Sequence, residues 1–115
     1  MKTFKHSIGS INYTIRVGQN AKENWNLIDS SDPFDVWFHL DNHPSSHVVI
    51  SQDLASNKDL FYPNQIIGIA ADYCKSHSKQ KLASKVKVVY TNIENLTKGK
   101  DVGSVFVSEG KYVHV

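Results

Sequence analysis

Residues 35–50 have the sequence Asp35-Val36-Trp37-Phe38-His39-Leu40-Asp41-Asn42-His43-Pro44-Ser45-Ser46-His47-Val48-Val49-Ile50. Along Phe34–Leu40 the even-numbered apolar residues share one face of a strand, while Trp37 and His39 share the other. A turn around Pro44 follows, and His47–Ser51 then alternates as a second strand. The stretch therefore predicts a hairpin with bulky residues on both faces, which indicates a sheet covered on most of both sides.

Alternation of β-forming residues predicts further strands on both sides of this hairpin. Ile11–Val17 is one, and Lys2–Ile8 is its expected partner across a Gly9-Ser10 turn. Another strand runs from about Lys85 to Tyr90. Glu94–Asp101 is expected to be a connector, followed by two closing strands that turn on each other through Glu109-Gly110-Lys111, at Val102–Val107 and Tyr112–Val115.

Two amphipathic helices are also predicted. Asn20 and Glu23 have the spacing of a capping box, and the helix that follows places its apolar face at Ala21, Trp25 and Ile28 and ends near Ser30. The second helix runs from Pro63 to about His77. Its broad apolar arc should pack on the sheet, and this arc consists of Ile66, Ile67, Ile69, Ala70, Ala71, Tyr73 and Cys74.

Length and composition indicate an ordinary globular protein. The 115 residues suggest one domain over 1–115, and the apolar content of 40% with 21% charged residues suits a packed core. We therefore predict a single compact α+β domain with a mostly antiparallel sheet of about six strands and two main helices. The lone Cys74 excludes an intrachain disulfide and suits a reducing, cytoplasmic setting. No apolar run approaches the ~18 residues of a membrane span.

Charge is distributed unevenly along the chain, although the net charge is only +2. Residues 20–74 carry eight acidic and two basic side chains, whereas residues 75–100 carry seven lysines and one glutamate. A basic stripe of this kind attracts phosphate locally, and a solvated surface that binds nothing has the same pattern. The lysines proposed to contact nucleic acid are Lys79, Lys81, Lys85, Lys87 and Lys98.

The histidines of residues 35–50 allow three interpretations. With Asp41, the imidazoles of His39, His43 and His47 form a candidate metal site, although their spacing converges on a helix rather than on a hairpin. Alternatively, His39 and His47 face each other across the turn and fix it by hydrogen bonds. In the third interpretation, the amides around Pro44-Ser45-Ser46, the serine hydroxyls and a protonatable histidine hold one phosphate.

Catalytic signatures are absent from the sequence. Ser46 precedes His47, but no Gly-x-Ser-x-Gly elbow surrounds it. Cys74 falls on the apolar arc of the second helix, where a thiol packs as a small hydrophobe. We predict no catalytic residue, no metal and no cofactor, and we do not expect a small-molecule substrate. Trp37, Tyr90 and Tyr112 are candidates for stacking on bases.

Five motifs in order resemble the NFACT-R domain family. They are Gly18-x-Asn20 with Asn24, the pattern from Asp35 to Val48, the helix ending in Lys75 and Ser78, Val88-Val89-Tyr90-Thr91 with Lys98, and Asp101-Val102-Gly103. The sequence departs from the family at Ser45, where many members have Gly, and it lacks the coiled coil and Lys-rich tail of stand-alone eukaryotic members. We therefore draw no expectation about partners that such a tail recruits.

The resemblance implies a non-enzymatic role in binding RNA, a ribosome or tRNA, as in ribosome-associated quality-control factors. DNA is a further partner in one eukaryotic branch. The predicted contacts are the five lysines above together with Trp37, His39, Ser46 and His47. The alternatives are a protein-interaction adaptor that does not touch nucleic acid, and a metal-dependent hydrolase built on the histidines.

Overall fold

The structure is a computed structural model that describes residues 1–53 and 60–115. It confirms a single α+β domain with two helices and a mostly antiparallel sheet of six strands. In chain order the elements are β1 (Lys2–Ile8), β2 (Ile11–Val17), α1 (Ala21–Asp29), β3 (Val36–Leu40), β4 (Val48–Gln52), α2 (Asn64–Ser76), β5 (Lys87–Asn92), a 3-10 turn (Ile93–Asn95), β6 (Leu96–Lys98), β7 (Val105–Val107) and β8 (Lys111–His114).

The main sheet has the strand order β1-β2-β4-β3-β5-β8, and every neighbouring pair is antiparallel. The predicted hairpin forms its centre, because β3 pairs with β4 from Val36 opposite Ile50 to Phe38 opposite Val48. Continuing that register by one residue sets His39 opposite His47, as the sequence indicated. The β1–β2 hairpin turns at Gly9, whose φ of +61° favours glycine.

The two faces of the main sheet are covered by different elements, as the alternation predicted. Helix α2 covers the face that carries Phe38, Leu40 and Ile50, and its Ile66 and Cys74 are fully buried there. Helix α1 and the small β6–β7 sheet cover the opposite face. The core on that side consists of Leu27, Trp37, Val49, Val89 and Ile93.

Helix α1 begins at the predicted cap, but its buried face matches the prediction only in part. Asn20 Oδ1 accepts a hydrogen bond from the Glu23 amide at 2.9 Å, and Glu23 Oε1 accepts one from the Gln19 amide at 3.0 Å. The buried residues are Asn24 and Leu27. The predicted face is confirmed only in part, because Ile28 packs against the core and Trp25 is half-buried, whereas Ala21 is exposed.

The C-terminal strands pair differently from the prediction. β7 pairs with β6, inside the segment expected to be a connector, and forms a two-stranded sheet. β8 pairs instead with β5 at the edge of the main sheet. Glu109, with φ of +54°, lies between β7 and β8, so the chain does turn there, but the turn passes from one sheet to the other.

The long helix α2 closely matches its prediction. It spans Asn64–Ser76, with Pro63 and His77 as its caps. Most of the loop predicted over residues 53–62 lies outside the described residues. Neither helix in the described ranges combines the length and the apolar character that crossing a membrane requires.

Candidate nucleic-acid interface

A cavity of about 780 Å³ opens at the end of the sheet where β3 and β4 meet. Four separate chain segments line it, and we call it the hairpin cavity. They are residues 18–24 at the β2–α1 junction, residues 39–47 of the hairpin, residues 77–81 after α2, and residues 102–103 before β7. The structure thus brings part of the lysine stripe and the hairpin histidines to one surface.

The imidazoles of His39 and His47 line the hairpin side of the cavity, and the buried Trp37 ring packs beside both. The Trp37 and His39 rings are stacked, with centroids 5.8 Å apart and planes 8° apart. The His47 ring is perpendicular to both, with its centroid 5.2 Å from each. Trp37 Nε1 donates a hydrogen bond to His47 Nδ1 at 3.0 Å. The rings are therefore fixed by mutual contact rather than by the turn alone.

The hydrogen bonds assign a tautomer to each neutral imidazole. A backbone carbonyl can only accept, so His39 Nδ1, 2.6 Å from the Leu40 oxygen, carries the proton. An indole can only donate, so His47 Nδ1 is unprotonated. The remaining bond of His47 goes to the backbone of Gly103. His39 Nε2 is left as an acceptor without a hydrogen bond among the described residues.

Both imidazoles are neutral near neutral pH. Burial, with a smaller contribution from His39, lowers the pKa of His47 to about 3. Burial likewise lowers the pKa of His39. Neither imidazole therefore supplies positive charge to an anion near neutral pH, and the phosphate hypothesis stays a prediction for the turn amides and the serine hydroxyls.

Asn24 and Gly18 position the hairpin, and the sequence analysis did not assign them to the site. Asn24 Oδ1 accepts a hydrogen bond from the His47 amide at 3.2 Å, and the Gly18 amide donates to the His47 carbonyl at 2.9 Å. A Cβ on Gly18 would lie 2.2 Å from Asn24 Oδ1. Both residues belong to the Gly18-x-Asn20 motif region, which was the signal that could have identified them.

Gly103 closes the opposite wall of the cavity. Its φ is +90°, and a Cβ there would lie 3.0 Å from the backbone Cα of Ala21. The close approach lets residues 102–103 reach the start of α1. Only glycine combines this backbone conformation with this contact without strain.

Lys79 and Lys81 line the hairpin cavity, and both side chains are exposed. They lie on a turn held by Ser78, whose hydroxyl donates to the Lys75 carbonyl at 2.7 Å and accepts from the Gln80 amide at 3.0 Å. Neither lysine forms an ion pair with the residues that the structure describes. Their charges are therefore available to a ligand at the rim.

The other predicted lysines lie outside the cavity. Lys85 is exposed on the approach to β5. Lys87 Nζ lies 3.8 Å from Asp41 Oδ2 and 4.1 Å from the centroid of the Tyr112 ring. Lys98 Nζ lies 2.6 Å from Asp29 Oδ1, across the face covered by α1. The acidic partners of Lys87 and Lys98 offset their charges.

Ser46 lines the cavity, whereas the aromatic candidates are less available than predicted. Trp37 is only 1% exposed, so base stacking on Trp37 is wrong, and the residue acts by holding His47. Tyr90 is half-buried and stacks on Phe38. Tyr112 is 52% exposed and already carries the Lys87 ammonium on its ring.

No group of three or more metal-binding side chains occurs in the described part of the chain. His43 lines the cavity, but it is an exposed turn residue. The Cys74 thiol is fully buried beneath the hairpin, 3.8 Å from the Ser46 carbonyl, and burial raises its pKa. A thiol in that state is a poor nucleophile.

Comparison with known proteins finds relatives that share one name in different animals. Coiled-coil domain-containing protein 25 of Mus musculus is 34% identical over 113 residues, covering 95% of this chain and 53% of that protein. The Danio rerio protein of the same name is 29% identical over 115 residues, covering 97% and 55%. The chain thus spans about half the length of the curated relatives it matches.

A solved structure shares the fold. The C-terminal part of the fibronectin/fibrinogen-binding protein from Streptococcus suis superposes with a TM-score of 0.78 at 27% identity, covering 90% of this chain and 40% of that one. The family model described as the NFACT protein RNA binding domain matches residues 2–114, nearly the whole sequence. The chain therefore belongs to the NFACT-R family of RNA-binding domains.

Proposed function

We propose that this protein binds RNA at the hairpin cavity, with phosphates contacting Lys79 and Lys81. The observation that carries the proposal is that these two exposed lysines line the same cavity as His39, Ser46 and His47. A concave surface with cations at its rim concentrates a phosphate chain more effectively than scattered surface lysines do. Membership of an RNA-binding family supports the same ligand.

The five predicted lysines contribute unequally in this proposal. Lys85 is exposed and extends the positive surface away from the cavity, so it contacts the continuing RNA backbone. Lys87 and Lys98 contribute less, because Asp41 and Asp29 compete with phosphate for their ammonium groups. The strongest contacts are therefore at the turn that follows α2.

The proposal extends to the kind of RNA and to the cellular compartment. By family membership, the RNA is ribosomal RNA or tRNA in the cytoplasm, and the protein acts by binding rather than by catalysis. The buried thiol of Cys74 and the fully engaged ring nitrogens of His47 support a binding role, since neither is free to act on a substrate.

The test is the salt dependence of RNA affinity. A labelled single-stranded RNA should bind with a dissociation constant on the order of 10⁻⁴–10⁻⁶ M near physiological salt, and log K should fall linearly with log [KCl]. The double substitution Lys79→Ala and Lys81→Ala should reduce that slope by about 1–2 units, because two phosphate contacts are lost.

The matched control is the double substitution Lys2→Ala and Lys111→Ala, two lysines that form no ion pair with the described residues. It removes the same charge from exposed residues of β1 and β8 that do not line the cavity. The control should leave the slope nearly unchanged. An equal reduction of the salt slope in both double variants would show that binding follows net charge alone. An unchanged slope in the Lys79→Ala and Lys81→Ala variant would place the phosphate contact elsewhere.

Exposed apolar side chains in the C-terminal part favour the adaptor as a second candidate. Phe106 is 70% exposed on β7, and Val102 is 55% exposed at the cavity. A protein partner that covered these side chains would remove their apolar surface from water. RNA that fails to bind even at low salt, together with a folded domain, would support the adaptor over the RNA-binding proposal.

A further inference from the structure

We infer that an RNA strand bound at the hairpin cavity continues across the end of the main sheet and that one of its bases stacks on the Tyr112 ring at the sheet edge. This inference rests on the proposed function and adds a second contact, of a different kind, to the phosphate contacts at Lys79 and Lys81. It follows from the cross-strand register, from a second cavity that adjoins the first, and from the exposed ring itself.

A row of side chains runs from the hairpin cavity to Tyr112, at right angles to the strands. His39 is opposite Val89, and Val89 is opposite Tyr112. His47 continues the row on the other side of His39, and the centroids of the two imidazoles are 5.2 Å apart. Residues opposite one another in neighbouring strands share a face of the sheet. Three strand spacings separate His47 from Tyr112, which is roughly 14 Å, so one strand of RNA can reach both.

A second cavity, of about 490 Å³, lies along this row. It adjoins the hairpin cavity, because five residues line both, namely His39, His43, Pro44, His47 and Gly103. Beyond the hairpin, aliphatic side chains contribute to its lining, from Val89 of β5 and from Val105 and Val107 of β7. Apolar walls suit a base better than a phosphate, since burying an unpaired charge is costly. The two cavities therefore offer a path that begins at the lysines and leads toward Tyr112.

Tyr112 ends the row with an exposed ring beside a cation. It lies on β8, the edge strand of the main sheet, and is 52% exposed. Lys87 Nζ is 4.1 Å from the centroid of the ring and covers one side of it, so the exposed surface leaves room for a base. Aromatic rings next to basic side chains bind single-stranded nucleic acid by stacking, and any base can stack because each has a π-face. A base held inside a duplex cannot do so.

The charges along the row assign stacking and phosphate binding to different ends. Asp41 lines the second cavity, and its Oδ2 lies 3.8 Å from Lys87 Nζ, so the carboxylate offsets the charge of Lys87 and repels phosphate. Lys79 and Lys81 have no ion pair with the described residues. We therefore expect the Tyr112 end to add affinity that depends little on salt, while the lysine end supplies the salt dependence.

The experiment measures the affinity of a labelled oligoadenosine decamer for the wild type and for Tyr112→Leu over a range of KCl concentrations. The substitution removes the ring and keeps an apolar side chain on β8. It should weaken binding about fivefold or more, which corresponds to the loss of one base–aromatic stack. The slope of log K against log [KCl] should not change, because no phosphate contact is lost. Tyr112→Phe keeps the ring and should bind as the wild type does.

Phe106→Leu is the matched control. Phe106 is 70% exposed on β7, but strand alternation turns it away from Val105 and Val107, which line the second cavity. This variant also loses one exposed ring, and it should keep both the affinity and the salt slope of the wild type. Equal losses of affinity in Tyr112→Leu and Phe106→Leu would overturn the assignment of the stack to Tyr112.

A second measurement uses only the wild-type protein and does not depend on a variant folding. In spectra of protein with ¹³C-labelled tyrosine, the decamer should move the ring signals of Tyr112 to lower chemical shift and leave those of the fully buried Tyr13 in place. Unmoved Tyr112 signals, or a Tyr112→Leu protein that binds as tightly as the wild type, would overturn the inference. The RNA-binding proposal would survive that result if Lys79→Ala with Lys81→Ala still reduced the salt slope. Absence of binding to the decamer at low salt would overturn both.

Discussion

His47 should make the stability of the domain depend on pH, and His47→Asn should remove that dependence. Burial lowers the pKa of His47 from 6.5 to about 3. As the pH falls below 6.5, this histidine is therefore protonated in the unfolded chain while it stays neutral in the folded protein. Between those two values the unfolded state binds more protons, and stability must fall as pH falls. At about 1.4 kcal/mol per pKa unit, the loss between pH 7 and pH 4 is about 3 kcal/mol.

The assay is urea unfolding followed by circular dichroism at several values between pH 7 and pH 4. Asparagine keeps a side-chain oxygen able to accept from Trp37 Nε1 and does not titrate, while the two proteins are otherwise identical in sequence. The His47→Asn variant is expected to be less stable than the wild type at pH 7. The quantity to compare is therefore the change in the free energy of unfolding between pH 7 and pH 4 in each protein. Parallel losses in the two proteins would refute the assignment of a neutral, buried imidazole to His47.

Three other variants, one of them with a control, test the fold and the site. Ile66→Ala should lower the free energy of unfolding by about 2–5 kcal/mol, because the fully buried side chain leaves a cavity under the sheet, and urea unfolding would reveal it. Gly18→Ala should destabilise the domain and weaken RNA binding, because the new Cβ would overlap the Asn24 carboxamide that holds the hairpin. Gly68→Ala is the control. Its Cβ would meet nothing within 4 Å, so it should be neutral or stabilising in the same assays. The double substitution Lys85→Ala and Lys87→Ala should reduce the salt slope of RNA binding by less than the Lys79→Ala and Lys81→Ala double substitution does. The reason is that Lys87 Nζ lies 3.8 Å from Asp41 Oδ2, and this carboxylate competes with phosphate.

The parts of the fold that sequence predicted well are those whose pattern is local. The β3–β4 hairpin and α2 each repeat one spacing over several turns or residues, so their faces can be assigned without knowing their neighbours. The opposition of His39 and His47 followed from the same alternation. The family motifs added the order of elements, and the structure agrees with that order.

The features that sequence missed depend on partners distant in the chain. Asn24 is buried in α1 because its carboxamide accepts from the His47 amide, which no helical wheel reveals. The β6 and β7 strands have three residues each, too few to show alternation. Likewise, the lysine stripe is contiguous in sequence, but only folding shows that Lys98 pairs with Asp29, whereas Lys79 has no ion pair with the described residues.

No single segment of the chain forms the hairpin cavity on its own. Its lining residues come from residues 18–24, 39–47, 77–81 and 102–103, and the first and last of these segments are about 80 residues apart in a chain of 115. Contacts between such distant segments form only after long loops have closed, which slows folding. The amides of Gly18 and His47, bonded across two of these segments, are therefore natural reporters in hydrogen exchange of when the site assembles.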